Sequence, residues 1–141
     1  MLKPLGRVLT KVWRPLLLKP LPRPPSAPSG RTFATGDIHG DLAALLQIEA
    51  QLPELDEADT WVFLGDYVNR GPNSAEVVEH IRSLSSRTRA HIVTLRGNHE
   101  DAWLRVIDHG WPEFVLADHG CRAALESYVG KLDGELDEPM K

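Results

Sequence analysis

Over most of the chain, short apolar runs alternate three times with stretches in which apolar residues recur every three or four positions. The runs at residues 32–35, 60–64 and 90–95 are typical of β-strands, and each is followed by an amphipathic helical pattern. Asp41 stands before the first helical pattern and Ser74 before the second, and we interpret both as helix caps. Three successive βα units predict an α/β fold built on a largely parallel sheet.

The N-terminal segment, residues 1–31, has a different composition. It holds seven of the 11 prolines and seven of the 16 basic residues, and it has no acidic residue. Because proline denies the segment regular helix, we predict a disordered basic tail in front of one folded domain at residues 32–141. The alternatives are a misassigned start site and contact of the cations and Trp13 with an anionic membrane surface. No apolar run in the chain approaches the roughly 20 residues of a membrane span.

Charge and cysteine content narrow the classes of function. All 20 acidic residues lie after residue 31, so the predicted domain is strongly acidic and offers no basic stripe for a nucleic-acid backbone. We therefore expect no nucleic-acid partner. Cys121 is the single cysteine, which excludes a disulfide within the chain and favours a reducing, cytoplasmic location.

Three short motifs follow the three predicted strands. They are Gly-Asp-Ile-His-Gly at residues 36–40, Gly-Asp-Tyr-Val-Asn-Arg-Gly at 65–71 and Gly-Asn-His-Glu at 97–100. Because parallel strands present their carboxyl ends at one edge of a sheet, we expect the three loops to converge there. Together they supply hard oxygen and imidazole ligands for divalent metals, and a cation for a phosphate. This set of residues favours a two-metal phosphoesterase.

In this order and spacing, the motifs resemble the signature of the phosphoprotein phosphatase family, within the calcineurin-like metallophosphoesterase superfamily. The resemblance covers about residues 32–130 and implies the N-terminal half of a sheet-and-helix sandwich. It implies two divalent metal ions, with Mn as first choice and Fe or Zn as alternatives. It also implies hydrolysis of phosphomonoesters by a metal-bridging hydroxide. The expected substrate is a phosphoserine or phosphothreonine protein, or a small phosphoester.

The resemblance assigns a role to each polar residue of the motifs. Asp37 and His39 would hold the first metal, Asp66 would bridge both metals, and Asn98 would bind the second. The alternative for any one of these residues alone is a helix cap or a turn brace. Their joint occurrence favours metal binding.

Three further residues concern the phosphate and the leaving group. Arg70 would hold two phosphate oxygens through its guanidinium, and His99 would act as general acid. Asn69 stands where the family carries an aspartate that orients this histidine. An amide does little to favour imidazolium, so we expect proton donation to alkoxide-like leaving groups to fall by about 10- to 1000-fold. Symmetrical dinucleoside tetraphosphate hydrolases of the family also lack the aspartate, but they usually carry Asp at the position of Glu100.

A second departure lies after the third motif. Family members continue beyond the point where this sequence ends, and they supply two more histidines for the second metal and a second arginine. The sequence thus predicts a C-terminally truncated domain whose second metal site is half built. This keeps open an inactive fragment or pseudophosphatase that binds phosphate or a partner. A half sheet would also leave an open edge, through which the chain could self-associate.

Overall fold

The structure, a computed structural model, describes residues 29–110 and 120–131. Its sheet contains the parallel strands β1 (Thr32–Thr35), β2 (Thr60–Phe63) and β3 (His91–Thr94), in the order β1-β2-β3. Over the described residues the helices are α1 (Leu42–Gln51), α2 (Ser74–Arg87), α3 (Asn98–His109) and α4 (Cys121–Val129). The predicted α/β fold with a parallel sheet is confirmed. The predicted tail lies mostly outside the described residues.

The register of the strands brings their carboxyl ends to one level. Thr35, the last residue of β1, pairs with Phe63, the last of β2, and Phe63 pairs with Thr94, the last of β3. The ladder continues one residue further, because the N–H of Leu64 donates to Thr35 and that of Leu95 donates to Phe63. The loop after each strand therefore starts at the same edge of the sheet, where each motif lies.

The core lies between the sheet and the helices that follow its strands. Helix α2 is central to it, since it contacts α1, α4 and β3. The largest fully buried apolar side chains are Trp61, Trp103, Phe63, Leu45, Leu84, Val68 and Val77. Burying an aliphatic or phenyl side chain of this size stabilises the fold by about 1.5–3 kcal/mol. This core includes Trp103, in agreement with the interpretation of this tryptophan as a core residue rather than a substrate platform.

The two predicted helix caps behave differently. Asp41 caps α1 as predicted, because its Oδ1 accepts a hydrogen bond from the N–H of Ala44 at 2.9 Å. The prediction for Ser74 was wrong, since Asn73 occupies the N-cap position of α2 and Ser74 is the first helical residue. The buried Ser74 hydroxyl accepts instead from the N–H of Asn69 at 3.1 Å. It thereby braces the second motif rather than the helix end.

An ion pair joins the starts of β1 and β2. The buried Asp59 carboxylate accepts hydrogen bonds from the backbone N–H, Nε and Nη2 of Arg31, and from the N–H of Asp56. These bonds, with that of the Arg31 side chain first, hold the pKa of the Asp59 carboxyl well below its ordinary value. The residue just before β1 is therefore anchored to the sheet.

Two large apolar side chains remain exposed at the ends of the strands. Leu64 is 50% exposed and Leu95 is 43% exposed, one directly after β2 and the other after β3. Self-association of the chain stays a prediction. Of the helices that the structure describes, none combines the length and the apolar character that crossing a membrane requires.

Candidate metal centre

The first two motif loops are joined by backbone hydrogen bonds. The N–H groups of Ile38 and His39 both donate to the carbonyl of Asp66, at 3.0 and 2.8 Å, and Gly40 N–H donates to the carbonyl of Tyr67 at 2.8 Å. In the reverse direction, the carbonyl of His39 accepts from Gly71 at 2.8 Å. The two loops thus form one hydrogen-bonded unit at the carboxyl edge of the sheet.

The third loop packs directly against the second, and two glycines make this approach possible. Gly65 has φ +111°, and a Cβ built on it would overlap the backbone nitrogen of Gly97. A Cβ built on Gly97 would overlap the carboxylate and backbone nitrogen of Asp66. Any side chain at either position would push the loops apart. The glycines therefore keep Asp66 beside the start of α3.

Positive φ angles concentrate at the predicted site. Among the described residues, the non-glycine residues in the left-handed region are His39, Asp66, Asn69 and Arg70, with φ between 48° and 73°. This conformation costs an ordinary residue about 1–2 kcal/mol, although Asn and Asp tolerate it better. It persists where the surrounding structure holds the backbone, here through the hydrogen bonds between the loops. The strain falls on four residues that the motif analysis had singled out.

Three side chains from the three loops meet in one cluster. Ligand atoms of His39, Asp66 and His99 lie within 4.8 Å of one another. Asp66 and His99 are buried and His39 is nearly so. The rings of the two histidines lie 4.5 Å apart between centroids, edge to face at 71°. The predicted convergence of the motifs therefore places imidazole and carboxylate groups at metal-binding distance.

The environment of His39 fits a metal ligand. Its Nδ1 lies 3.1 Å from the carbonyl of Val68, which can only accept, so Nδ1 carries the hydrogen and Nε2 carries the lone pair. Nε2 is buried and has no hydrogen-bond partner among the described residues, and an Asp37 carboxylate oxygen lies 3.6 Å from it. A buried imidazole lone pair beside carboxylates, with the other nitrogen bound to a carbonyl, is the usual arrangement of a metal-binding histidine.

Glu100 organises the centre without belonging to the cluster. Its buried carboxylate accepts hydrogen bonds from the backbone N–H groups of Asp66, Tyr67 and Gly97 at 2.8–3.0 Å, and from that of Val68 at 3.3 Å. Burial raises the pKa of the Glu100 carboxyl, and the backbone donors oppose this effect. The sequence analysis used Glu100 only for comparison within the family. The available signal was a glutamate three positions after the N-cap of a helix, which can reach back to the cap.

A second buried network surrounds His99. The Asn69 amide nitrogen lies 2.9 Å from His99 Nδ1, and the indole nitrogen of Trp103 donates to the Asn69 amide oxygen at 2.9 Å. His99 N–H also donates to an Asp66 carboxylate oxygen at 3.0 Å. Asn69, which the sequence analysis placed next to His99, does contact it. The hydrogen bond from Trp103 to Asn69 could not be predicted from the sequence, because a tryptophan in a helical apolar stripe predicts only core packing.

The remaining predicted site residues lie at the surface of the same loops. The Asp37 side chain is 66% exposed, and Asn98 is exposed at the first turn of α3. Arg70 is also exposed, while its backbone N–H donates to the carbonyl of Gly120, just before α4, at 2.9 Å. The ligand and phosphate-binding roles of these three residues stay predictions.

Comparison with known protein families gives a match over most of the chain. A family model described as calcineurin-like phosphoesterase matches residues 30–135, which is well over half of the chain. The matched region contains all three motif loops and every side chain of the cluster.

Proposed function

Because the chain belongs to the calcineurin-like phosphoesterase family, we propose that it hydrolyses phosphomonoesters, with phosphoserine and phosphothreonine as the substrate groups. The observation that carries this proposal is the cluster of His39, Asp66 and His99, whose ligand atoms lie within 4.8 Å of one another. The buried Nε2 lone pair of His39 supports it, since such a group needs a partner.

Four residues would hold the divalent metals, with Mn as the proposed ion. They are Asp37, His39, Asp66 and Asn98, whose carboxylate, imidazole and amide donors suit Mn, Fe or Zn. When bound, the metals supply Lewis acidity and a nucleophilic water near neutral pH. The protein contributes a rigid ligand set, because hydrogen bonds between the loops hold the backbone of His39 and Asp66.

Arg70 and His99 would act on the substrate. A guanidinium can hold two phosphate oxygens at once, and exposure of the Arg70 side chain leaves it able to meet a phosphate from solvent. The fixed Arg70 backbone limits the region that the side chain can search. His99 is the proposed donor to the leaving oxygen, a role supported by its place in the cluster.

Hydrolysis of para-nitrophenyl phosphate with added Mn tests the proposal. Asp66→Asn removes a cluster carboxylate, while Asp41→Asn is the matched control. Asp41 lies in the same loop as His39 and caps α1, and asparagine is an equally good cap. We expect turnover by the wild type and by Asp41→Asn, and none by Asp66→Asn. Absence of turnover in a folded, metal-loaded wild type would overturn the enzyme proposal in favour of a pseudophosphatase.

The contact of Asn69 with His99 favours a second candidate, hydrolysis of a symmetrical dinucleoside tetraphosphate. An amide beside the imidazole suits a phosphoanhydride, whose leaving group departs with little protonation. Comparing turnover of a phosphoserine peptide with that of diadenosine tetraphosphate separates the candidates.

We propose the cytoplasm as the location, supported by Cys121, a free and buried thiol.

A further inference from the structure

We propose that Trp103 is a positioning residue, whose indole N–H sets the orientation of the Asn69 amide and thereby holds His99 as the Nε2–H tautomer. The inference deepens the proposed function, on which its meaning for catalysis rests. The hydrogen-bond directions themselves depend only on the residues of this network.

The argument begins with the indole. A tryptophan side chain has one polar group, an N–H that donates and never accepts. The Asn69 atom that lies 2.9 Å from it is therefore the amide oxygen, as the structure shows. This leaves the amide nitrogen turned to His99, 2.9 Å from Nδ1. An amide nitrogen also only donates, so Nδ1 carries the lone pair and the hydrogen of the neutral ring is on Nε2.

Burial makes this orientation the favoured one. Asn69, Trp103 and His99 are all at most 3% exposed, so water competes poorly for the polar atoms of the network. A flipped amide would turn its nitrogen against the indole N–H, donor against donor. The Asn69 backbone is also held, since its N–H donates to the Ser74 hydroxyl and its φ is +73°. The side chain therefore has one orientation that satisfies all partners.

The two histidines of the cluster thus have opposite tautomers. His39 donates through Nδ1 to the Val68 carbonyl and keeps its lone pair on Nε2, whereas His99 uses its Nδ1 lone pair on Asn69 and keeps its hydrogen on Nε2. An imidazole needs a lone pair to bind a cation, and an N–H to bind a phosphate oxygen. Although ligand atoms of both histidines lie within 4.8 Å of Asp66, His39 is suited to the metal and His99 to the substrate.

The test is the tautomer of each ring, observed by long-range ¹H–¹⁵N correlation of the full chain with ¹⁵N-labelled histidine. At about pH 8 ordinary histidines are neutral, so the spectrum reports tautomers rather than charge. Variants His99→Gln and His39→Gln assign the two signals. We expect a single Nε2–H pattern for His99 and a single Nδ1–H pattern for His39. An Nδ1–H pattern for His99 in the wild type would overturn the proposal.

Trp103→Phe tests the indole, because it removes the N–H and keeps an aromatic ring. We expect His99 to become a mixture of tautomers while His39 is unchanged. Trp61→Phe is the matched control, since Trp61 is a second buried tryptophan whose indole donates, at 2.9 Å, to Thr35. Retention of the pure Nε2–H pattern in a folded Trp103→Phe protein would show that the indole has no such role.

Two measurements keep the proposal testable if Trp103→Phe does not fold. Asn69→Asp offers His99 an acceptor in place of a donor, so we expect Nδ1 to carry a hydrogen in this variant, and an Nδ1 that keeps its lone pair would contradict the inference. Asn69→Ala removes the acceptor of the indole, so the Trp103 indole proton should shift upfield, and an unmoved resonance would contradict it. None of these readouts requires turnover. Correct tautomers in an inactive protein would overturn only the proposed function.

Discussion

The carboxylate of Glu100 accepts a hydrogen bond from the backbone N–H of Asp66 at 2.8 Å, and this bond ties the first turn of α3 to the loop after β2. A second bond joins the same two segments, because the carboxylate of Asp66 accepts a hydrogen bond from the N–H of His99 at 3.0 Å. Each of the two acidic side chains thus accepts a hydrogen bond from the backbone of the segment that carries the other. Glu100 therefore helps to hold the backbone of Asp66 in place.

We expect Glu100→Gln to lower the free energy of unfolding by about 2–4 kcal/mol. Glutamine replaces one acceptor oxygen by a donor, which would face buried backbone N–H groups and leave them unsatisfied. Urea denaturation measures the change. Glu79→Gln is the control, because Glu79 is exposed and paired only with Arg82 in the described structure, so a change within about 0.5 kcal/mol is expected. Equal effects of the two variants would refute the structural role of Glu100.

Saturating Mn should raise the melting temperature by about 10 °C, since a ligand that binds only the folded state at about 100 times its Kd stabilises it by about 2.7 kcal/mol. A chelator should reverse the shift. His39→Gln should lose most of this shift in melting temperature, because the substitution removes the imidazole and its Nε2 lone pair. His91→Gln serves for comparison, as His91 is exposed at the start of β3, and it should keep the full shift. An unchanged shift in His39→Gln would remove His39 from the metal site.

Asn69→Asp should raise turnover of a phosphoserine peptide by about 10- to 1000-fold and alter that of para-nitrophenyl phosphate by only a few fold. A carboxylate at this position accepts a hydrogen bond from the Nδ1–H of His99 and favours imidazolium. An alkoxide leaving group needs protonation by this imidazolium, whereas a nitrophenolate leaves without it. Steady-state kinetics of both substrates measures the ratio. A parallel rise for both substrates would mean that the substitution acts on something other than leaving-group protonation.

Asp59→Asn should destabilise the protein more at about pH 6 than at about pH 3. The folded-state pKa of Asp59 is depressed below its unfolded value, so the stabilisation is present above the unfolded pKa and is lost as the pH falls through the folded one. In acid, wild type and variant therefore converge. Urea denaturation at the two pH values gives the difference, and a gap that is constant or widens in acid would contradict the Arg31–Asp59 assignment.

Cys121 should react slowly with iodoacetamide in the native protein. Burial raises the pKa of its thiol to about 11 from the usual value of 9.0, which at about pH 8 reduces the thiolate about 100-fold. Its low exposure slows access further. Mass spectrometry of timed samples measures the rate, with the urea-unfolded chain as reference. Comparable rates in the two states would show that the Cys121 thiol is not buried in the native protein.

The hydrophobic pattern predicted the strands well, because each apolar run is short, rich in β-formers and bounded by a glycine-containing motif. The three strands formed at the predicted positions, with ends that differ by at most one residue. The cap at Asp41 was equally local, since its carboxylate reaches a backbone N–H three residues on. The prediction that Ser74 caps α2 was wrong because its hydroxyl can accept either from the N-terminus of the helix or from the N–H of Asn69. Tertiary packing decides between these two partners.

The sequence alone determined that carboxylate, imidazole and guanidinium groups follow the three strands, because a parallel sheet brings its carboxyl ends together whatever the details of packing. Only the tertiary structure decided how these groups are held. The opposite tautomers of His39 and His99 depend on Val68 and Trp103, and the place of Asp66 depends on Glu100. These are contacts between residues about 30 positions apart, or between side chain and backbone, whose directions leave no periodic trace in the order of amino acids.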